Sequence, residues 1–151
     1  MRASYPMTGY YVAVAPRDLV LAAVSTRFCH APPGRSATLF GMAEGDWLAY
    51  YSPREIHGSA TPCRRFTAIG RVAPGRVQLA QGSEGLEGNR RPMRYLRCYP
   101  VPAAVLVRWL SFVRNPKVWA PSFRAGFFRV SREDFTVIAQ AMLSRVDWES
   151  L

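Results

Sequence analysis

Residues 45–54 read "GDWLAYYSPR", and three large aromatic side chains, Trp47, Tyr50 and Tyr51, fall within this short run. Because successive side chains of a β-strand point to opposite faces, the run predicts a strand with two faces: Trp47, Ala49 and Tyr51 against Leu48, Tyr50 and Ser52. We expect Leu48 and Ala49 to lie in a core. Pro53 has no backbone N–H and is expected to end the strand pairing, so the strand end is the predicted place for ligand contact.

Other segments on both sides of this run have the composition of strands. They are "YYVAVA" (10–15), "RFTAIGRV" (65–72), "RVQLA" (76–80), "MRYLRCYPV" (93–101) and "FFRV" (127–130). Pro74-Gly75 predicts a hairpin turn between the second and third of these segments. The proline- and glycine-containing segments 27–38 and 84–92 are predicted to be loops.

Three short helices are predicted. Pro16 precedes the apolar set of the first, around residues 16–24, and proline suits the first turn of a helix. Apolar residues at helical spacing predict a second helix within "PAAVLVRWLSFV" (102–113). Ser131 is expected to cap the third, with Asp134 in a capping-box position and a buried stripe of Phe135, Ile138, Ala139 and Met142. Short strands mixed with helices, without a βαβ rhythm, predict an α+β fold with a curled, mainly antiparallel sheet.

The charge of the chain restricts its partners. Twenty basic and ten acidic residues give a net charge of +10 over 151 residues, and every basic residue except Lys117 is arginine. A biased genome is an alternative explanation of the arginine preference, but it does not explain the excess charge. Such an excess attracts polyanions, above all nucleic acid. No apolar run is long enough to span a bilayer and no secretory signal opens the chain, so we expect a cytoplasmic protein with no membrane partner.

The sequence offers little material for catalysis. The three cysteines lack metal-site spacing, and His30 and His57 fall in predicted loops without a recognisable nucleophile. No phosphate-cradling motif occurs. We therefore expect no cofactor, no metal and no enzymatic activity. Flat aromatic rings beside arginines instead suit a nucleobase and its phosphates, although rings at strand positions are also expected in a core.

The order of several segments resembles the EVE domain family. These segments are "YYVAV" (10–14), "GDWLAYYSPR" (45–54), "FTAIG" (66–70), "RRPMRYL" (90–96) and "LSFVRNPKVWAPSFRAGFFRVSREDF" (110–135). EVE domains are PUA-like proteins related to YTH and ASCH domains. The resemblance covers about residues 10–142. It implies a PUA-like pseudo-barrel of five or six strands with a pocket for a base of DNA or RNA, and this base is expected to be a modified one. Many relatives have a Gln where this chain has His30, and this difference changes the hydrogen-bonding edge offered to a base.

The resemblance and the aromatic and basic pattern together give the expected site. The base pocket is expected to contain Tyr11, Phe28, Arg35, Trp47, Tyr50, Tyr51, Ser52, Phe66, Ala68, Trp119 and Arg124. The residues expected at phosphates are Arg54, Arg64, Arg65, Arg90 and Arg91. We expect a loose leader over residues 1–9 and a single EVE/PUA-like domain over residues 10–146.

The expected function is non-catalytic binding of nucleic acid, DNA or RNA, by a monomer or weak dimer that holds one base. One alternative is a small-molecule or nucleotide sensor, or an enzyme, built on the same barrel. Another is a protein-interaction domain whose charge is incidental.

Overall fold

The computed structural model describes residues 7–31, 34–80, 86–143, 148 and 151. These ranges leave out most of the expected leader, parts of the predicted loops at residues 27–38 and 84–92, and the end of the expected domain. The domain bounds therefore stay predictions. The strands are β1 (Tyr10–Val14), β2 (Phe28–Ala31), β3 (Trp47–Arg54), β4 (Pro62–Val72), β5 (Gln78–Ala80), β6 (Gly88–Tyr95), β7 (Val101–Pro102) and β8 (Phe127–Val130). The α-helices are α1 (Arg17–Thr26), α2 (Ala37–Gly41) and α3 (Arg132–Leu143), and 3₁₀ turns span Ala103–Val105, Val107–Trp109 and Ala120–Phe123.

The strands form one curled, mainly antiparallel sheet in the order β2-β6-β4-β3-β1-β8, with β5 paired to β6 and β7 paired to β4. Only β1 and β3 run parallel among the described pairs. The predicted α+β class is therefore confirmed. In the described ranges, no helix is long and apolar enough to cross a membrane.

β3 separates two hydrophobic cores, and its alternation is the one predicted. Trp47, Ala49 and Tyr51 pack in the core that contains α3, whereas Leu48 and Tyr50 pack in the core that contains residues of α1 and α2. Leu48 and Ala49 are fully buried, as expected. The sheet is thus covered by apolar side chains on both faces at its centre.

Pro53 does not end the pairing of β3, contrary to the prediction. Ser52 pairs with Arg65 and Arg54 pairs with Pro62, so the register shifts around Pro53 and pairing continues beyond it. The β4 side of this irregularity contains Arg64, which has a positive φ of 57°. Pro53, which lacks an N–H, lies in the irregular part of the pairing, so the regular pairs on both sides of it are kept.

Two predicted loops contain strands. Phe28–Ala31 forms β2, and β6 begins at Gly88 inside the predicted glycine-rich loop; these two strands pair antiparallel with each other. The predicted hairpin at Pro74-Gly75 is also wrong, because β5 pairs with β6 instead of β4. The edge of β4 from Gly70 to Val72 is already occupied by β6.

The predicted helix at residues 102–113 is replaced by two 3₁₀ turns. Its apolar residues do not share one buried face, since Val105 and Trp109 are exposed while Leu106 and Leu110 are buried. Leu110 has an extended backbone, and the next residue, Ser111, donates its N–H and its hydroxyl to the Asp134 carboxylate. A tertiary contact therefore ends this segment before a helix can continue.

The first and last helices follow the prediction closely. α1 begins directly after Pro16 and buries Val20 and Ala23. The Asp134 N–H donates to the Ser131 hydroxyl at 3.1 Å, so Ser131 is the cap of α3. The four residues of the predicted stripe are buried. The Asp134 carboxylate, however, binds Ser111 and does not complete a capping box.

Candidate functional site

Two adjoining clefts open where β1 and β2 end, and Val14 and His30 line both of them. Each has a volume of about 270 Å³, and we call the pair the His30 cleft. Arg35, Arg124 and Phe127 line one part. Leu19, Tyr50, His57 and Glu87 are among the residues that line the other. A volume near 300 Å³ is at the lower end of the range for small-molecule pockets.

Backbone hydrogen bonds fix the walls of the His30 cleft. The Val14 N–H donates to the Gly126 carbonyl at 2.7 Å, so the end of β1 is held against the segment before β8. Arg35 reaches the same segment, because its Nη1 donates to the Ala125 carbonyl at 2.9 Å. The His30 N–H donates to the Tyr50 hydroxyl at 3.1 Å, which joins β2 to β3. These three hydrogen bonds hold the walls of the cleft together.

The His30 ring is the unusual group in this cleft. Both of its ring nitrogens are buried, and neither has a hydrogen-bond partner in the described part of the chain. Burial lowers the pKa of His30, the Arg90 charge lowers it further, and the Leu86 backbone acts in the opposite direction without forming a hydrogen bond of ordinary geometry. A neutral imidazole has one donor and one acceptor, so the His30 ring has one unused donor and one unused acceptor among the described residues.

A second cleft lies at the end of β3 and has a volume of about 500 Å³. Its lining includes Tyr51, Arg54, Arg64, Lys117 and Trp119, and we call it the strand-end cleft. In the described ranges, none of the three cationic side chains has a hydrogen bond or an ion pair. Such a group of positive charges favours an anion.

The Tyr51 ring lines the strand-end cleft but has little free surface. It stacks on Phe123 with ring centroids 4.1 Å apart, and the edges of Phe66 and Trp119 pack around it. Burial raises the pKa of Tyr51 to about 12, against the opposing effect of the Arg64 charge. Tyr51 can therefore offer a protonated hydroxyl, but not the stacking face that was expected of it.

The expected base pocket is divided by the structure. Arg35, Tyr50 and Arg124 come together in the His30 cleft, and Tyr51 and Trp119 lie in the strand-end cleft. Phe28 lines a third cleft of about 650 Å³, beside Val24, Pro92 and Tyr95. None of these clefts is lined by both Arg35 and Ser52, so the residues expected in one pocket are distributed among several places.

Five other residues of the expected pocket are parts of the cores. Trp47 packs against Phe135 and Trp148, and Tyr11 packs against Phe127. Ser52 is fully buried, and its hydroxyl is 2.7 Å from the Thr67 hydroxyl. Phe66 and Ala68 are buried on opposite faces of β4. The sheet is covered on both faces, and these five side chains line none of the clefts described here.

The expected phosphate residues also separate. Arg54 and Arg64 line the strand-end cleft, and Arg65 is exposed next to them. Arg91 is instead a structural residue, because its guanidinium donates to the Leu39 and Met42 carbonyls. Arg90 lies over the Phe28 ring, 3.9 Å from the ring centroid, so neither of these two is a free solvated charge.

The expected site residues did not include Val14, Phe127 and His57, which line the His30 cleft. His30 was not in that list either, although the resemblance placed it at the edge offered to a base. The segment "FCHA" does alternate, since Cys29 and Ala31 are buried and Phe28 and His30 are partly exposed. Four residues are too few for this signal to outweigh the prolines that follow. Over the described residues, no group of three or more His, Cys, Asp or Glu side chains is arranged to hold a metal ion.

Several bacterial proteins are similar to this chain over most of its length. A UPF0310 protein of Bacillus subtilis (strain 168) is 36% identical over 135 residues, which are 89% of this chain and 92% of that protein. A UPF0310 protein of Mycobacterium avium (strain 104) is 35% identical over 136 residues, 90% of this chain and 98% of that protein. No protein-family model matches the chain.

Solved structures with the same fold include two YTH domains. The YTH domain of Zygosaccharomyces rouxii MRB1, in complex with N6-methyladenosine RNA, has a TM-score of 0.63 at 7% identity and covers 93% of this chain and 88% of its own. The Pho92 YTH domain, in complex with m6A, has a TM-score of 0.61 at 9% identity and covers 97% and 90%. At these identities the likeness concerns the fold, and it agrees with the predicted PUA-like pseudo-barrel.

Proposed function

Because the chain belongs to the UPF0310 family and has a fold in common with YTH domains, we propose that it is a non-catalytic, nucleic-acid-binding protein of the EVE type. In this proposal one base of an unpaired strand enters the His30 cleft. The observation that supports it best is the His30 ring, whose two buried nitrogens have no partner in the described part of the chain. A buried polar group without a partner is costly, and the polar edge of a base would satisfy it.

The walls of the cleft suit a flat ligand. Tyr50 and Phe127 provide apolar surface beside His30, and the exposed guanidinium of Arg35 is held in position by Ala125. Guanidinium planes and aromatic rings both stack on bases in single-stranded nucleic acid. In this proposal the Arg35 guanidinium stacks on one face of the base and His30 recognises its edge. Tyr50 and Phe127 are buried and supply only the apolar floor of the cleft.

The charges at the cleft favour a nucleic acid over a neutral metabolite. Arg35 and Arg124 lie on one side of it, and the whole chain has a net charge of +10. In this proposal Arg124 contacts a phosphate that flanks the bound base, and such contacts supply most of the sequence-independent affinity.

A modified base is the proposed ligand. Removing a base from a duplex costs a few kcal/mol, and the cost is smallest for a mismatched, damaged or already unpaired base. The two YTH domains with this fold were solved with N6-methyladenosine or with RNA that contains it, which makes that nucleoside the first ligand to test.

The test compares fluorescence anisotropy of short single-stranded RNA and DNA, each with plain or N6-methylated adenine. His30→Ala should weaken binding of the preferred oligonucleotide by about tenfold or more, since a lost hydrogen bond to a buried group costs about 1–3 kcal/mol. Arg108→Ala is the control for general effects, because Arg108 is exposed and lines none of the clefts described above. Equal affinity of the wild type and His30→Ala for every oligonucleotide would refute the base site.

The same experiment distinguishes the alternative function. A free nucleoside or nucleotide that binds as tightly as the oligonucleotide would favour a small-molecule sensor. Chemical change of the bound base, followed by mass spectrometry of the recovered oligonucleotide, would show that the protein is an enzyme.

A further inference from the structure

We propose that the strand-end cleft is a second nucleotide subsite, which holds the phosphate of a nucleotide next to the one whose base occupies the His30 cleft. This inference rests on the proposed function. It specifies the nucleic acid as a single strand of a few nucleotides. This strand passes over the β3–β4 loop (residues 55–61) from one cleft to the other.

The charge of the cleft favours a phosphate. Arg54, Arg64 and Lys117 line it together, and in the described ranges no carboxylate neutralises any of them. The nearby Glu55 carboxylate pairs with Arg17 at 3.2 Å. A phosphate that enters the cleft therefore meets three cations and does not have to displace an internal partner.

The rings of the cleft favour the backbone of a nucleotide over its base. Phe123 covers a face of the Tyr51 ring, so Tyr51 presents its hydroxyl, which stays protonated at neutral pH because burial raises its pKa to about 12. A hydroxyl of this kind donates to a phosphate or sugar oxygen. Trp119 is only partly buried and leaves an apolar surface for the sugar.

The backbone at Arg64 supports the same assignment. Arg64 has a φ of 57° at the irregular part of the β3–β4 pairing. A residue other than glycine rarely adopts this conformation, and bulges of this kind commonly redirect a side chain. Here the bulge leaves Arg64 in the lining of the cleft.

The two clefts are close enough for neighbouring nucleotides. Val14 lines the His30 cleft and pairs directly with Tyr51, which lines the strand-end cleft. Neighbouring strands are about 4.8 Å apart, and stacked nucleotides of one strand rise about 3.4 Å each. Two or three nucleotides are thus sufficient to reach from one cleft to the other.

The loop between the clefts is fixed in place. His57 lines the His30 cleft and Ala60 lines the strand-end cleft. The Asp18 N–H donates to the Glu55 carbonyl at 3.0 Å, and the His57 N–H donates to the Asp18 carboxylate at 3.0 Å. These bonds hold the loop against α1, so it forms a rigid rim that the strand can cross.

The experiment measures affinity against ligand length, from a nucleoside to single strands of two, three and five nucleotides. Four proteins are compared: the wild type, His30→Ala, the double variant Arg54→Ala/Arg64→Ala and the control Arg76→Ala/Arg108→Ala, which removes the same charge from exposed positions outside the clefts. Melting temperatures confirm that all four are folded.

We expect the wild type to gain about tenfold in affinity between the nucleoside and the five-nucleotide strand. The Arg54/Arg64 variant should lose most of this gain while it keeps its affinity for the nucleoside. Its slope of log affinity against log salt should fall by about 0.7, because the one phosphate held in the cleft contributes about 0.7 on a single strand. The Arg76/Arg108 control should keep the gain.

Equal length dependence in the Arg54/Arg64 variant and the control would overturn the subsite. Competition by inorganic phosphate or a mononucleotide at the same concentration as the five-nucleotide strand would also overturn it, because the ligand of the cleft would then be a free anion. Failure of the base site has a different signature: no binding of the nucleoside, and no effect of His30→Ala on any length. A selective loss in the Arg54/Arg64 variant would still establish the strand-end contact.

Discussion

His30 lies at the junction of two clefts, and its ring is buried without a hydrogen-bond partner among the described residues. Burial and the Arg90 charge both make the protonated imidazole unfavourable in the folded protein. The neutral ring is the form that has both a donor and an acceptor. In the proposed function, ligand recognition and the protonation of this one side chain are therefore coupled.

The lowered pKa of His30 predicts how stability depends on pH. In the unfolded chain a histidine has its ordinary pKa of about 6.5, so below that pH the unfolded state binds a proton that the folded state resists. The contribution of His30 to the free energy of unfolding is complete above about pH 6.5 and decreases as the pH falls towards the folded-state pKa. Urea denaturation at several pH values measures it. His30→Gln should flatten the slope in this window, and an unchanged slope in that variant would contradict the assignment.

For single residues, the sequence predicts which side chains are buried better than it predicts which groups they contact. Alternation in β3 correctly separates Tyr50 from Tyr51, but it does not show that Phe123 covers the Tyr51 ring. Arg91 has the polar neighbours of a surface arginine, yet its guanidinium binds the carbonyls of Leu39 and Met42. Such contacts join residues about fifty positions apart, and no local pattern encodes them.

We expect the irregular pairing between β3 and β4 to lower the free energy of unfolding and to strengthen the binding of a nucleotide strand. A residue other than glycine in the left-handed region costs about 1–2 kcal/mol, and Arg64 adopts that conformation. Arg64→Gly should therefore raise the free energy of unfolding by up to about 1 kcal/mol and weaken binding of a five-nucleotide strand several-fold. Urea denaturation and anisotropy measure the two effects.

Arg65→Gly is the matched control for this change. Arg65 is also exposed and lies in the same strand without a positive φ, so glycine there should destabilise by about 0.5–1 kcal/mol. If Arg64→Gly destabilises the protein as much as Arg65→Gly, the strain at Arg64 does not exist.

The contact between β4 and β6 depends on a glycine. A Cβ added to Gly70 would lie 2.6 Å from the Arg94 carbonyl oxygen and 2.8 Å from the Tyr95 Cα. Both atoms belong to the backbone, so the strands must separate to accept it. Gly70→Ala should lower the free energy of unfolding by about 1–3 kcal/mol. Gly41→Ala meets no atom within 4 Å and should leave stability unchanged or slightly increased; similar losses in both variants would argue against close strand packing at Gly70.

Among the elements, those with a long and regular pattern could be predicted. β3 and α3 follow their periodicities over most of their length. The segment 102–113 does not form the helix that its periodicity predicts, because the Asp134 carboxylate binds Ser111 where the helix would continue. β2 was missed because four residues give little periodicity and their stability comes from pairing with β6. The His30 cleft could not be located from the sequence for the same reason, since β2 positions its central residue.

On the scale of the whole molecule, the net charge and the position of the cations favour the same class of partner. The net charge of +10 favours polyanions, and the sheet places uncompensated cations beside both proposed clefts. The fold alone does not choose between DNA and RNA, or between the bases, because folds of this kind host different functions. In the proposed function, that choice depends on the groups around His30.

The most direct measurement is a titration of the ¹⁵N-labelled protein with a five-nucleotide single strand that contains one N6-methyladenine, followed by amide chemical shifts. We expect the largest changes at Val14, His30, Arg35, Tyr50 and Gly126, around the His30 cleft, and smaller changes at Arg54, Arg64 and Trp119. Largest changes at Val24, Thr26, Arg27 and Arg94, around the third cleft, with the amides of the His30 cleft unmoved, would contradict the proposed base site.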